Sequence, residues 1–215
     1  SRPLCHALSQ LIEVETNKAP GIGRRGKRFI VSRKTRYLQG DMRVYRTKAE
    51  TIAVDSSMLI SLDLSGSMSH NVTKAKDACL SLALAIEDIE GAQVAVQTFG
   101  DKNYDILKWG ESVSAASGRF DAVYADGSTP MREALSNAFM ALLPEETNRK
   151  SLVMITDGEP DCDCTDTFNL LRQHEIDVFG LFIGEYNKGR AYMDKYFNPG
   201  GWIAVRNIND LRREL

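Results

Sequence analysis

Short apolar runs alternate along this chain with stretches of helical periodicity, and that alternation restricts the fold more than any other feature. MLISLDL, 58–64, is apolar at almost every position, as a strand buried on both faces must be. Ala75, Cys79, Leu82, Ile86 and Ile89 then step by four, three, four and three, tracing one face of a long helix. QVAVQTF, 93–99, and YDILKW, 104–109, read as strands. MREALSNAFMALL, 131–143, reads as a helix entered through Thr129-Pro130, because proline in a first turn forfeits no helical hydrogen bond. SLVMIT, 151–156, and DVFGLFI, 177–183, are further strands, separated by a helix over 167–175. RAYMDKYF, 190–197, reads as a short helix, WIAVR, 202–206, as an edge strand, and NDLRREL as a closing helix. Parallel neighbours require crossover helices. The pattern therefore predicts an α/β fold: a doubly wound, mostly parallel sheet with helices on both faces and right-handed crossovers.

The first 50 residues differ from the rest. They carry 12 Lys and Arg against 4 Asp and Glu, whereas residues 51–215 carry 15 against 25. Two domains are expected: 1–50, an amphipathic helix (4–16) followed by a basic arm, and 51–215, the α/β domain. Between Arg24 and Lys48 lie ten basic residues with interleaved Phe29, Ile30, Val31, Tyr37, Leu38, Val44 and Tyr45, the composition of a packed or docked segment rather than a disordered tail. Ten positive charges could serve nucleic acid, but no nucleic-acid motif accompanies them, and packing against the acidic domain or a partner is the preferred reading. No run of about 20 apolar residues exists to span a membrane. The N-terminus lacks a signal-peptide pattern, and its abrupt start is what a piece of a longer chain would show. Cys5, Cys79, Cys162 and Cys164 form no disulfide framework; Cys79 is expected to be buried, and Cys162 and Cys164 to be free surface thiols. Cytoplasmic localisation is expected from this cysteine usage.

Ligands of such sheets bind beyond the carboxyl ends of the strands. Three expected strand ends carry oxygen-rich loops: Asp63-Leu64-Ser65-Gly66-Ser67, Asp126-Gly127-Ser128-Thr129-Pro130 and Thr156-Asp157-Gly158-Glu159-Pro160. All their donors are carboxylates and hydroxyls, which suit Mg²⁺, Ca²⁺ or Mn²⁺ better than zinc or copper. The bland alternatives are a helix-capping turn at 63–67, an N-cap at Thr129 and a structural Asp157. Glu159, Asp161, Asp163 and Asp166 read as a solvated acidic loop, His70 as a solvated helix-start residue, and Cys162-Asp163-Cys164 lacks the further ligands of a closed zinc site.

Asp63, Ser65 and Ser67 in DxSxS, Thr129 in STPMREAL and Asp157 in ITDGEP resemble the metal-ion-dependent adhesion site, or MIDAS, of von Willebrand factor A (vWA) domains. The resemblance implies a Rossmann-like vWA fold with Mg²⁺ (or Mn²⁺ or Ca²⁺) bound. Ser65 and Ser67 would ligate directly, Thr129 would join in the ligand-bound form, and Asp63 and Asp157 would act directly or through water. The sixth position would be left for an acidic side chain of a protein partner. The arm GRRGKRFIVSRKTRYLQGDMRVYRTK, with ACLSLALAIEDIEG and NINDLRREL, is similar to bacterial CobT-type proteins, which include cobaltochelatase-subunit-like and NorD-like members. That similarity implies a MoxR- or chelatase-type AAA+ ATPase as partner.

A binding module, not an enzyme, is thus expected. The chain has no GxxxxGK[ST] loop for ATP. A metal-assisted phosphatase is disfavoured, since Ser65 stands where haloacid-dehalogenase-type enzymes carry their acid. Neither serine lies in a GxSxG elbow. A subunit of a cobalt or magnesium chelatase remains an alternative, and an adhesin is opposed by the cysteine usage and the missing signal peptide.

Overall fold

The computed structural model describes residues 55–125 and 127–205, together with 22–23, 28–30, 32, 37, 39–42 and 45–46. The expected helices over 4–16 and 209–215, Asp126, Cys5 and His6 lie outside the described residues.

Six strands build one sheet: β1 (Ser56–Asp63), β2 (Ala92–Phe99), β3 (Asp105–Leu107), β4 (Arg149–Thr156), β5 (Ile176–Ile183) and β6 (Trp202–Val205). Their order is β3-β2-β1-β4-β5-β6, with β3 antiparallel to β2 and every other pair parallel. Five helices connect them: α1 (Val72–Glu87), α2 (Val113–Ala122), α3 (Met131–Leu142), α4 (Thr165–Gln173) and α5 (Tyr186–Tyr196). The doubly wound α/β reading therefore holds. β1 is central, buried at all eight positions, which is why its sequence shows no polar alternation.

The strand period of two assigns its side chains to opposite layers. Met58, Ile60 and Leu62 join Ala75, Cys79, Leu82 and Ile86 of α1 and Val113, Ala116 and Phe120 of α2 in one core. Leu59 joins Leu135, Ala138 and Leu142 of α3, Phe168 and Leu171 of α4 and Met193 of α5 in the other. Burying each large side chain contributes about 1.5–3 kcal/mol, so the two cores pin the sheet from both sides.

Three details differ from expectation. The strand over 104–109 is shorter, Asp105–Leu107, and its pairing with β2 carries a register shift at Val96/Gln97. The first long helix stops at Glu87, short of Ile89. Helix α2 has no counterpart in the sequence reading: it buries only Val113, Ala116 and Phe120, and its serines and glycine mask that stripe. Ser112 caps it, accepting from the Ala115 amide at 3.3 Å.

The described positions before residue 50 belong to a separate unit. There Tyr45–Arg46 pairs antiparallel with both Ile22–Gly23 and Arg28–Phe29. Among the described residues no helix is long and apolar enough to cross a membrane.

Candidate metal centre

The carboxyl ends of β1 and β4 lie side by side in the middle of the sheet, where the order of connection reverses. Beyond β1, Leu64 and Met68 turn inward and are buried in the α1/α2 core. These two plugs hold a 3-10 turn, Gly66–His70, against the sheet and leave the intervening serines at its rim. The Leu64 amide donates to the Phe99 carbonyl at 2.8 Å, and the Met68 amide to the Ser65 carbonyl at 3.0 Å.

The side chains of this loop meet those beyond β4. Ser65 Oγ and Ser67 Oγ lie 3.0 Å apart, and Ser67 Oγ donates to Asp157 Oδ1 at 2.7 Å. Asp63 is fully buried; its Oδ1 accepts from the Ser65 amide at 2.7 Å and its Oδ2 from Thr156 Oγ1 at 2.5 Å. Thr156 Oγ1 in turn accepts from the Gly158 amide at 3.2 Å.

Thr129 comes from the third loop, just before α3. A Cβ on Gly158 would lie 3.3 Å from Ser67 Oγ and 3.7 Å from Thr129 Oγ1, so both hydroxyls crowd the same glycine. The Gly66 amide donates to the Gly127 carbonyl at 2.9 Å and ties this loop to the first. Of the five residues singled out in the sequence, Ser65, Ser67 and Asp157 are linked side chain to side chain, Asp63 is tied to the Ser65 amide, and Thr129 faces the same glycine as Ser67.

Burial pushes the Asp63 carboxyl above its ordinary range; the bonds from Thr156 and Ser65 pull it down, and the nearby Asp157 carboxylate adds to the rise. Among the described residues no Lys or Arg forms an ion pair with Asp63 or Asp157. Nor, among them, do three His, Cys, Asp or Glu side chains cluster: the carboxylates here are two, and the remaining donors are hydroxyls.

Sequence reasoning missed two supporting residues. Asn71, just before α1, donates from Nδ2 to Asp157 Oδ2 at 3.1 Å. Asp101, beyond β2, accepts from Ser128 next to Thr129. Neither stands in a spacing motif; an acid two residues past the β2 strand end is the cue to Asp101. The expectation of two surface thiols needs correction. Cys162 is exposed, but Cys164 is fully buried against Phe168 and its neighbours, because α4 starts there and turns it into the core. His70 is exposed, as expected. In the acidic loop, Asp163 is engaged with Thr165, Lys195 and Tyr196 rather than simply solvated.

An open, doubly wound sheet with a hydroxyl-and-carboxylate cluster at its central strand ends defines the class. The family model of the von Willebrand factor type A domain matches residues 58–198, most of the described sheet. The chain belongs to that family. Among solved structures it is similar to the conserved hypothetical protein BatB from Bacteroides thetaiotaomicron, with TM-score 0.61 and 18% identity over 74% of this chain and 94% of that one. It is also similar to proximal thread matrix protein 1 from the mussel byssus with a zinc-occupied MIDAS motif (TM-score 0.60, 18% identity, 75% of this chain, 44% of that one). A third is the manganese-loaded TRAP protein of Plasmodium vivax (0.57, 15%, 74% and 71%). At these identities the likeness is one of fold. The chain spans less than half of the mussel protein. No curated protein sequence matches significantly.

Proposed function

We propose that the chain is a protein-binding module that holds a divalent cation through Asp63, Ser65, Ser67, Thr129 and Asp157. The observation that carries this reading is the meeting of three loops: hydrogen bonds link Ser65, Ser67 and Asp157, Asp63 is tied to the Ser65 amide, and Thr129 Oγ1 faces the same Gly158 as Ser67 Oγ. The donor set fits a hard cation: hydroxyls and carboxylates only, with a buried Asp63 that no cationic side chain among the described residues neutralises. Mg²⁺ is the ion proposed for the cell, with Mn²⁺ or Ca²⁺ as substitutes. The zinc-occupied mussel protein and manganese-loaded TRAP support the assignment.

When bound, the ion supplies a coordination position for a carboxylate oxygen of a partner. The chain's own residues do the rest. Thr156 and the Ser65 amide orient Asp63, and Asn71 orients Asp157. Gly158 leaves the space in which Ser67 and Thr129 present their hydroxyls. No catalytic step is assigned to this chain. On the similarity of its arm and of 78–91 to CobT-type proteins, we place it with a MoxR- or chelatase-type AAA+ ATPase, in the cytoplasm, with 1–50 as arm and 51–215 as binding domain. The partner would hydrolyse ATP. In a chelatase, the inserted metal would be substrate, separate from this site.

The test is a titration of Mg²⁺, Mn²⁺ and Ca²⁺ into chelator-stripped protein, read by thermal stability, with Ser65→Ala/Ser67→Ala beside the wild type. An ion at 100 times its Kd adds about 2.7 kcal/mol. A rise confined to the wild type supports the site; equal responses in both proteins, or none, overturn it. Retention of an AAA+ ATPase in Mg²⁺ and its release by chelator would then test the partner.

A further inference from the structure

We propose that Asp101 is a positioning residue that sets the place of Thr129, an inference that rests on the metal-site reading above. Asp101 follows β2 by two residues and belongs to none of the three oxygen-rich loops. Its Oδ1 accepts from both the Ser128 amide and Ser128 Oγ, each at 2.8 Å. One carboxylate oxygen therefore holds the backbone and the side chain of the residue immediately before Thr129.

The neighbouring residue is clamped from the other side. The Gly127 carbonyl accepts from the Gly66 amide at 2.9 Å, and a Cβ on Gly66 would come within 3.3 Å of that carbonyl. Gly127 adopts φ +86°, and a Cβ there would lie 2.0 Å from Asp101 Cγ and 2.2–2.3 Å from its oxygens. The Asp101 carboxylate thus fills the volume that any side chain at 127 would take. Positive φ and close approach together call for glycine. The segment 127–128 is wedged between the loop of Ser65 and Ser67 and the loop after β2, and Thr129 emerges from that wedge. The same two bonds from Ser128 hold the Asp101 carboxyl below the usual carboxylate range. Its negative charge could instead act on a cation through space, but the residue is exposed and water screens such a field.

The experiment measures Mn²⁺ affinity for the wild type, Asp101→Ala, Asp101→Asn, Thr129→Ala and the Asp101→Ala/Thr129→Ala pair. It also measures amide hydrogen exchange at Ser128 in the chelator-stripped proteins. Removing an outer support of a metal site typically weakens binding about 10–100-fold, and that loss is expected for Asp101→Ala. Asp101→Asn keeps an accepting oxygen without the charge and should bind close to wild type. The double variant should bind no more weakly than Thr129→Ala, because both changes act through one residue. Ser128 should exchange about tenfold faster in Asp101→Ala, the loss of one hydrogen bond. Asn binding as weakly as Ala would assign the effect to charge. Additive losses would place Asp101 outside the Thr129 route, and unchanged affinity would remove its role. A wild type without Mn²⁺ response refutes the metal reading and any part of Asp101 in it. The exchange rates would then still report whether the clamp exists.

Discussion

Asp63→Asn separates a carboxylate kept for a ligand from one kept for the fold. Asp63 is fully buried, and two bonds orient it, from the Ser65 amide and from Thr156 Oγ1. The amide is isosteric and has somewhere to go. Its Oδ1 can keep the Ser65 amide, and its Nδ2 can donate to Thr156 Oγ1, whose hydroxyl can turn to the Gly158 carbonyl 3.4 Å away. Bonds to a charged group are worth about 1.5–3 kcal/mol and neutral ones about 0.5–1.5, so two weakened bonds lose about 2–3 kcal/mol. Against this, the effective desolvation penalty of a buried ion is several kcal/mol, which the neutral amide escapes. Burial, the largest influence on this carboxyl, pushes it above its ordinary range despite its hydrogen bonds, in line with a desolvation cost. Chelator-stripped Asp63→Asn should therefore be as stable as the wild type or more so, by about 0–2 kcal/mol, a rise of up to ~8 °C in Tm for a domain of this size. Calorimetry with and without saturating Mn²⁺ checks both halves: the wild type should gain on metal addition and the variant should not. A loss exceeding about 2 kcal/mol without metal would make the carboxylate part of the fold. An unchanged Mn²⁺ response would remove it from the ligand set.

Two further outcomes follow from groups outside the site. Burial pushes the Cys164 thiol up to about 12 and Cys79 still higher, whereas Cys162 is exposed. Alkylation of the native protein at pH 8, mapped by mass spectrometry, should modify Cys162 and spare the other two until denaturant is added; early labelling of Cys164 would contradict its burial. Hydrogen bonds from Thr165, Lys195 and Tyr196 hold the Asp163 carboxyl far below its usual range. A depressed carboxyl pKa stabilises above the ordinary value of about 3.9 and ceases to do so as pH falls through the folded value. The Tm gap between wild type and Asp163→Asn should thus narrow below about pH 4, by an amount that salt reduces, since the pair with Lys195 is exposed. A gap independent of pH would show that the carboxylate's charge is not what matters.

Much of the architecture could be read in advance because burial leaves a mark on composition. The central strands β1 and β4 are covered by helices on both faces, so their middles carry apolar residues on both sides, Met58 to Ile60 with Leu62 in β1 and Leu152 to Ile155 in β4. Helix α3 was equally plain, with Met131, Ala134, Leu135, Ala138 and Leu142 on its buried stripe. Helix α2 was not, since three apolar residues suffice to seat it at the sheet margin and serines fill the rest. YDILKW has strand composition throughout, yet only Asp105–Leu107 pairs with β2, and a register shift falls between its two paired positions.

The candidate site divides along the same line. Its donors were legible because Asp63, Ser65 and Ser67 share a spacing, and because Thr129 and Asp157 sit in glycine-containing turns at strand or helix ends. Local sequence determines such turns, since they depend on conformations that few residues tolerate. The supports were not legible. Asp101 acts on a residue 27 positions away and Asn71 on one 86 away, through bonds that exist only once the sheet aligns the loops. The burial of Cys164 beside exposed Cys162 likewise depends on where α4 begins against the second core. By itself the sequence determined most of the strands and helices, the mostly parallel sheet and the chemistry gathered at the strand ends, because periodicity and turn residues are local properties. Only the tertiary structure decided which polar groups hold those donors in place, because hydrogen bonds between distant loops follow from packing and leave no pattern along the chain.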